Sequence, residues 1–410
     1  MAVTGIISEF NPFHRGHVVP IAAARAEMGN HGALVCIMSG NCVQRGDLAI
    51  FHKGARAKAA IHGGADLVVE LPAPYVLSSA ESFARGGVAI LAAMGLPGTR
   101  LAFGCEDANL EGLIQAARIL DAPETQSKIA AGMKTGLSYG KASQAALDAQ
   151  CPHAQPAEVG FLLKKPNNLL AMAYIRAIHR LGAPIAPLPV PRLGVNHHSL
   201  TPEGAYASAT YLREQIHRGA DGNDSLWDYM PPEAAAIFRE ELARGRGPAS
   251  LHRLESAILS LLRHSAPPQE GYLDDSEGLS QRICNMAEKA GTLAELLSLV
   301  KTKRYHLSRI RRLIFNICLQ MTPSDRPETP PYIKVLAANE TGRALIRQMA
   351  KSASLPVITR PGQVKTLGAE VNRLFQKERA VTDFLSLCFH RPEERRGGSE
   401  WTYRPYLSQS

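Results

Sequence analysis

The sequence predicts an α/β fold whose first part is a parallel sheet wound with helices and whose second part is mainly α-helical. Three observations carry this. In the first third, short apolar runs alternate with helical patterns of about ten residues, as in βαβ units. Beyond residue 226 strand signals become rare and helical periodicity dominates. The chain of 410 residues is 45% apolar and 20% charged, a globular balance that excludes wholesale disorder. At about 150 residues per domain it has room for two or three domains.

In order along the chain, 3–7 reads as a compact β-branched strand. The turn Asn11-Pro12-Phe13-His14-Arg15-Gly16-His17 then leads into a helix running through Ile21 to Met28. Residues 33–38 (ALVCIM) form a second buried-type strand. A helix over 56–61 is broken by Gly63-Gly64, and the strand 67–71 is stopped by Pro72. A helix over 82–94 precedes a fourth strand, 99–103, ending at Gly104. The proline-rich strand 185–190 belongs near the sheet edge or off it. Further on, helices are expected over 234–244, 251–263, 280–290, 293–300, 308–321 and 370–387, with one short strand candidate at 332–336. The Gly/Asp-rich stretch 219–225 marks the boundary between domains 1–222 and 223–395, leaving 396–410 as a loose polar tail.

Lys and Arg outnumber Asp and Glu by 46 to 37, and the net charge of +9 favours anionic partners such as nucleotides or RNA without choosing among them. Seven cysteines form no CxxC pair and leave one over, so neither a disulfide scaffold nor a zinc ribbon is indicated, and no metal site is expected. The N-terminus lacks a basic segment with an apolar run behind it, and no apolar stretch approaches about 18 residues. The expectation is a soluble cytoplasmic protein without membrane contact.

The chemistry is concentrated in His14-x-Gly16-His17, which follows a strand and opens a helix. A helix N-terminus presents unpaired N–H groups and partial positive charge, which suits phosphate. Gly16 lets backbone approach a ligand. Two imidazoles three residues apart share a face and can both donate to phosphate oxygens, most usefully when charge builds on a phosphorus under attack. The same spacing also serves a pair of surface histidines or an i, i+3 metal pair. A second constellation is Ala207-Ser208-Ala209-Thr210-Tyr211-Leu212-Arg213, where Ser208 or Thr210 can cap a helix and Arg213 projects from its first turn. For RNA, the best local signal is the basic run 301–312, where Arg304, Arg311 and Arg312 can neutralise phosphates and Tyr305 can stack on a base. A solvated helix face has the same composition.

Taken together these strings resemble a known family. EFNPFHRGH (9–17), MSGNCVQRGD (38–47), GADLVVELP (64–72), SAESFA (79–84), FGCE (103–106), PNNLL (166–170) and ASAT (207–210) are similar to the HIGH-type nucleotidyltransferase superfamily, and within it to the bacterial tRNA(Met) cytidine acetate ligases. Lys303-Arg304-Tyr305 and Ile310-Arg311-Arg312 extend the likeness into the helical half. The chain departs from the pattern at Gly54, where the family carries a bulky aromatic, and at Val195-Asn196-His197-His198.

The resemblance implies a Rossmann-like nucleotidyltransferase domain and a specific reaction. Acetate attacks the α-phosphate of ATP, giving acetyl-adenylate and pyrophosphate. The acetyl group then passes to N4 of the wobble cytidine of elongator tRNA(Met). His14 and His17 would be catalytic. ATP would be held by Ile6, Ile7, Ser8, Glu9, Phe10, Asn11, Pro12, Phe13, His14, Arg15, Gly16 and His17, with Gly104, Asn167, Arg192, Ser208 and Thr210. Asn168 is not separable from Asn167 by sequence. Lys53 and Arg56 would neutralise pyrophosphate, and Gln44 and Arg45 lie on the ligand side of the sheet. Glu106 and the pair His197-His198 are open between ligand contact and plain surface, Glu70 between a buried partner and a metal contact. Magnesium is expected to arrive with ATP, and no partner protein is evident. Two other readings stay open: an adenylyltransferase building a small cofactor, and a non-catalytic RNA-binding protein on the same fold.

Overall fold

A computed structural model describes residues 2–29, 32–106, 109–135, 137, 139–149, 166–191, 201–219, 224–302 and 304–408. Its main sheet begins with β1 (Val3–Ser8), β2 (Ala33–Ser39), β5 (Leu67–Leu71), β6 (Arg100–Cys105) and β7 (Ala186–Pro191). The first four are almost wholly buried, because helices cover both faces of the sheet. On one face Ile7, Val35, Ile37 and Val69 pack with Val88 and Leu91 of the helix Ala80–Ala93. On the other, Ile6, Leu34, Cys36 and Val68 meet Ile21 of α1 (Arg15–Met28) and Ala60 of α2 (Lys53–His62). A small hairpin, β3 (Cys42–Val43) with β4 (Asp47–Leu48), lies between β2 and α2 in the chain.

With β8 (Ile333–Ala338) and β10 (Tyr406–Leu407) the strand order is β10-β8-β5-β2-β1-β6-β7, and β9 (Val357–Ile358) lies beside β8. Strands β1, β2, β5, β6 and β7 run parallel. The edge position expected for the proline-rich strand holds. Ala186 N–H donates to Thr99 O, and the alternating Pro187, Pro189 and Pro191 put their missing donors on the open side. From β1 the chain lays β2 and β5 on one side, then returns to lay β6 on the other. Such a switch point is where open α/β sheets bind ligands, beyond the strands' carboxyl ends. Here the strands also part. β1 pairs with β6 only from Thr4 opposite Arg100 to Ile6 opposite Ala102, although β1 continues to Ser8 and β6 to Cys105.

The second half is mainly helical, as expected, including the mutually packed helices Glu255–His264, Leu279–Ala287, Leu293–Val300 and Leu307–Cys318. It is not set apart from the first half at residue 223. The strand candidate at 332–336 is β8 (Ile333–Ala338), buried on both faces and antiparallel to β5 inside the main sheet. The expectation of a loose tail over 396–410 fails as well. Ser399–Thr402 is a helical turn, β10 (Tyr406–Leu407) pairs with β8, and Glu400 is 0% exposed. Glu400 is polar there because it meets the buried Lys53 and Lys334.

Candidate active site

The loop after β1 is built around its two histidines. His14 is the N-cap of α1, and its Nδ1 accepts the Gly16 N–H at 3.0 Å. His17 Nδ1 accepts the His14 N–H at 3.2 Å, completing a reciprocal cap. With Nδ1 of each ring accepting a backbone proton, each neutral imidazole carries its own proton on Nε2. The rings lie 3.9 Å apart between centroids, and Phe10 and Phe13 pack on His17 at 5.0 and 5.7 Å. Gly16 has a local reason beyond ligand approach: a Cβ there would lie 2.8 Å from Cε1 of His14.

The second constellation converges on this loop. Ser208 caps the helix Ala209–His217, its Oγ accepting the Tyr211 N–H at 3.0 Å. One turn in, Arg213 Nη1 donates to the Asn11 carbonyl at 2.8 Å while Nη2 donates to Thr210 Oγ1 at 3.2 Å. The sequence shows Arg213 only as a projecting side chain; in the fold it is the direct tie between the two motifs. Asn11 Oδ1 also accepts the Ile50 N–H at 2.7 Å. These ties hold a strained backbone: Phe10 has φ +47, a conformation costing a non-glycine residue about 1–3 kcal/mol. Pro12, Arg15 and the remaining residues of the expected ATP loop are continuous with it.

Across the splayed strands, Gly104 lies near the end of β6 and Glu106 just beyond it. Glu106 Oε1 accepts from Asn167 Nδ2 at 2.5 Å and its Oε2 accepts the Asn168 N–H at 3.0 Å. Asn168 Oδ1 in turn accepts the Glu106 N–H at 3.1 Å. The two asparagines are thereby distinguished: Asn168 is fully buried, and both orient the N-terminus of the helix Pro166–Arg180 at the crevice. Ser8 Oγ, at the end of β1, is buried without a hydrogen-bond partner among the described residues. Arg192, His197, His198 and Lys303 lie outside the described residues.

Several expected substrate contacts sit elsewhere. Lys53 is 0% exposed, its Nζ 2.5 Å from Glu70 Oε1 and 2.7 Å from Glu400 Oε1. Lys334 reaches the same two carboxylates, 3.0 Å from Glu70 Oε2. Burial alone would raise the Glu70 carboxyl, and the two ammonium groups more than offset it, bringing it down to about 2. Lys53 is therefore a structural cation, unavailable to pyrophosphate. Arg56 is likewise fully buried, donating to the carbonyls of Phe51, Glu9, Ser39 and Gly40. Gln44 spends its side-chain amide on Ser78 O at 3.1 Å. Its main chain is more telling: Gln44 N–H donates to Glu9 Oε1 at 2.6 Å, and Gln44 O accepts from Arg312 Nη1 at 3.1 Å. Arg312 thus ties the basic helix Leu307–Cys318 to the hairpin. The contact is close, since a Cβ on Gly46 (φ +74) would lie 2.4 Å from Arg312 N. Tyr305 is 8% exposed beneath Arg309, with 5.3 Å from guanidinium to ring centroid, so it offers no open face for base stacking. Arg304 is exposed and pairs with Glu277 at 2.5 Å, while Arg311 is half-buried.

Beside α2 lies a cavity of about 540 Å³, lined among others by Gly54, Lys58, Glu241 and Tyr403 and by no residue of the histidine loop. A Cβ on Gly54 would lie 3.3 Å from Tyr403 Cε2. Tyr403 therefore occupies the space that an aromatic at position 54 would enter.

A strand–turn–helix pair of histidines at a sheet switch point, bound to a Ser-x-Thr-x-x-Arg helix, defines a HIGH-type nucleotidyltransferase. The sequence model of the HIGH Nucleotidyl Transferase family matches residues 1–400. Among curated relatives, the tRNA(Met) cytidine acetate ligase of Acetivibrio thermocellus is 33% identical, with 98% of this chain and 99% of that protein covered. That of Thermoanaerobacter sp. is 34% identical over 95% and 96%. Thermotoga maritima TmcAL superposes with a TM-score of 0.91 at 28% identity, 99% of each chain covered. The same protein bound with alpha-thio ATP gives 0.89 at 29% identity, again over 99% of each chain. The chain belongs to the tRNA(Met) cytidine acetate ligase family.

Proposed function

We propose that this chain joins acetate to N4 of the wobble cytidine of elongator tRNA(Met) at the expense of ATP, by way of acetyl-adenylate. The observation that carries the reading is Arg213, which binds the Asn11 carbonyl of the histidine loop and Thr210 of its own helix together. Such an arrangement holds the phosphate-binding loop in one conformation before substrate arrives.

ATP enters the crevice where β1 and β6 part, its phosphates against the loop Ile6–His17 and the N-terminus of α1. An acetate oxygen attacks the α-phosphorus and pyrophosphate leaves. The Nε2–H groups of His14 and His17 donate to phosphate oxygens as negative charge grows there. Gly104, Asn167, Arg192, Ser208 and Thr210 complete the nucleotide contacts. Magnesium comes with the triphosphate as its counter-ion; among the described residues no group of three His, Cys, Asp or Glu side chains could hold an ion. Arg304 and Arg311 contribute to the tRNA-facing surface, supplying phosphate affinity rather than cytidine choice. The reaction belongs to the cytoplasm, and no helix among the described residues is long and apolar enough to cross a membrane.

The test is incubation with labelled acetate, ATP and total tRNA, followed by nucleoside analysis. N4-acetylcytidine confined to elongator tRNA(Met) is the expected product. Turnover of a small nucleotide acceptor without RNA would instead indicate a cofactor-building adenylyltransferase.

A further inference from the structure

The second half-reaction needs a group that can take a proton. The exocyclic amine of cytidine is conjugated with its ring and nucleophilic only weakly, so proton removal during attack matters. The two histidines are poorly placed for it. Each has its Nδ1 committed to a backbone N–H and its proton on Nε2, which makes both of them donors.

The carboxylates around the crevice differ in what their oxygens already do. Both oxygens of Glu106 are taken by Asn167 and Asn168. Glu70 is closed in by Lys53 and Lys334. Glu9 is different. It directly follows β1 at the switch point and precedes the strained Phe10 that packs on His17. Its Oε1 is anchored on the Gln44 N–H at 2.6 Å, while its Oε2 takes no hydrogen bond from any described residue. The residue is only partly buried.

We propose that Oε2 of Glu9 accepts the proton that the cytidine N4 amine loses as it attacks the acetyl carbon of acetyl-adenylate. The N4–C bond forms, the bond from the acetyl carbon to the phosphate oxygen breaks, and AMP departs with that electron pair. One N4 proton moves to Glu9 and from there to solvent. The proposal rests on the acetyl-transfer reading above. Burial raises the Glu9 carboxyl, partly offset by its Gln44 bond and by Arg213, Arg56 and Arg45, which brings its basicity nearer to working pH. Those arginines face it from the helix Ala209–His217, from α2 and from the hairpin turn. Cys42 and Tyr174 also feel its charge.

The test uses the full chain with Glu9→Gln and Glu9→Asp. Glutamine keeps an oxygen for the Gln44 N–H and removes the basicity. Two rates are read on each variant: acetate-dependent ATP–pyrophosphate exchange, and single-turnover acetyl transfer to tRNA(Met). In E9Q, transfer should fall about 100-fold more than exchange does. E9D should recover part of the transfer, and wild-type transfer should decline with acidification through an ionisation that E9Q lacks. Equal losses in both rates, or full transfer by E9Q, would overturn the proposal. Should E9Q fail to fold, a wild-type transfer rate independent of pH over about 4–8 overturns it just as well. A wild-type chain without acetate-dependent exchange would instead refute the functional reading itself, and this proposal with it.

Discussion

The histidine loop and the lysine–glutamate cluster beneath the C-terminal segment are both crowded with polar groups, and they dispose of them in opposite ways. In the cluster, Lys53, Lys334, Glu70 and Glu400 are closed from solvent and pair as ions with one another, and Thr382 Oγ1 donates to Glu400 Oε2 at 2.7 Å. Glu378 completes it uncharged: burial and then the charge of Glu70 push its carboxyl up to about 8. Below about pH 7, where Lys334 is charged, two cations therefore meet two anions. At the loop, by contrast, protein bonds fix the backbone while Ser8 Oγ and Glu9 Oε2 take no hydrogen bond from any described residue. Charge density alone does not mark a site; bonding capacity left at a crevice does.

That contrast can be broken from either side. The largest expected effect is on stability: Lys53→Met leaves two buried carboxylates to Lys334 alone and should cost about 3–5 kcal/mol in urea unfolding. A loss confined to activity, with unchanged stability, would make Lys53 a ligand residue after all. Next come His14→Ala and His17→Ala. Each should lower acetate-dependent ATP–pyrophosphate exchange about 100- to 1000-fold, with only about 1 kcal/mol of stability lost from the cap. Full exchange in both would remove the histidines from the reaction. A smaller change is expected from Arg304→Glu combined with Arg311→Glu. Binding to tRNA(Met) should weaken about tenfold at physiological salt and exchange should be untouched, with filter binding against salt as the measure.

The smallest effect is a pH slope. Glu378 has its folded pKa raised, so its contribution is complete below the ordinary carboxylate range and is lost as pH rises through about 8. Burial draws Lys334 down to about 7, and its opposite slope sets in only above that value. Between about pH 5 and 7 the wild type should therefore lose stability relative to Glu378→Gln as pH rises, in thermal melts of the two; burial draws His52 down to about 3, and its opposite slope is common to both. A parallel pair of curves would mean that Glu378 is ionised in the fold.

The sheet was legible wherever strands are buried on both faces, because β1, β2, β5 and β6 appear as unbroken apolar runs of strand length. Residues 332–336 could be read as a strand for the same reason, but its partner β5 lies far away in the chain and no local pattern names it. Composition hides the order of the tail: Glu400 and Tyr403 look like surface residues until Lys53 and the Leu336 carbonyl are placed opposite them. Exposure decided the substrate contacts. Lys53 and Arg56 carry the right charge for pyrophosphate, yet sit at inward positions of α2. The histidine loop and the Ser208–Arg213 turn were visible as motifs; the bond from Arg213 to Asn11 was not, since it depends on a main-chain carbonyl.

The pairing of β10 with β8, and of Glu400 with two lysines from earlier elements, also sets a timetable. While a ribosome is still short of residue 399, Lys53 and Lys334 lack Glu400, and the end of β8 at Ala337 and Ala338 lacks β10, since β9 pairs only with Ile333 and Lys334. The nascent chain cannot settle into its final state until these late residues emerge, so a catalytic half released prematurely would be a substrate for proteases rather than a smaller enzyme.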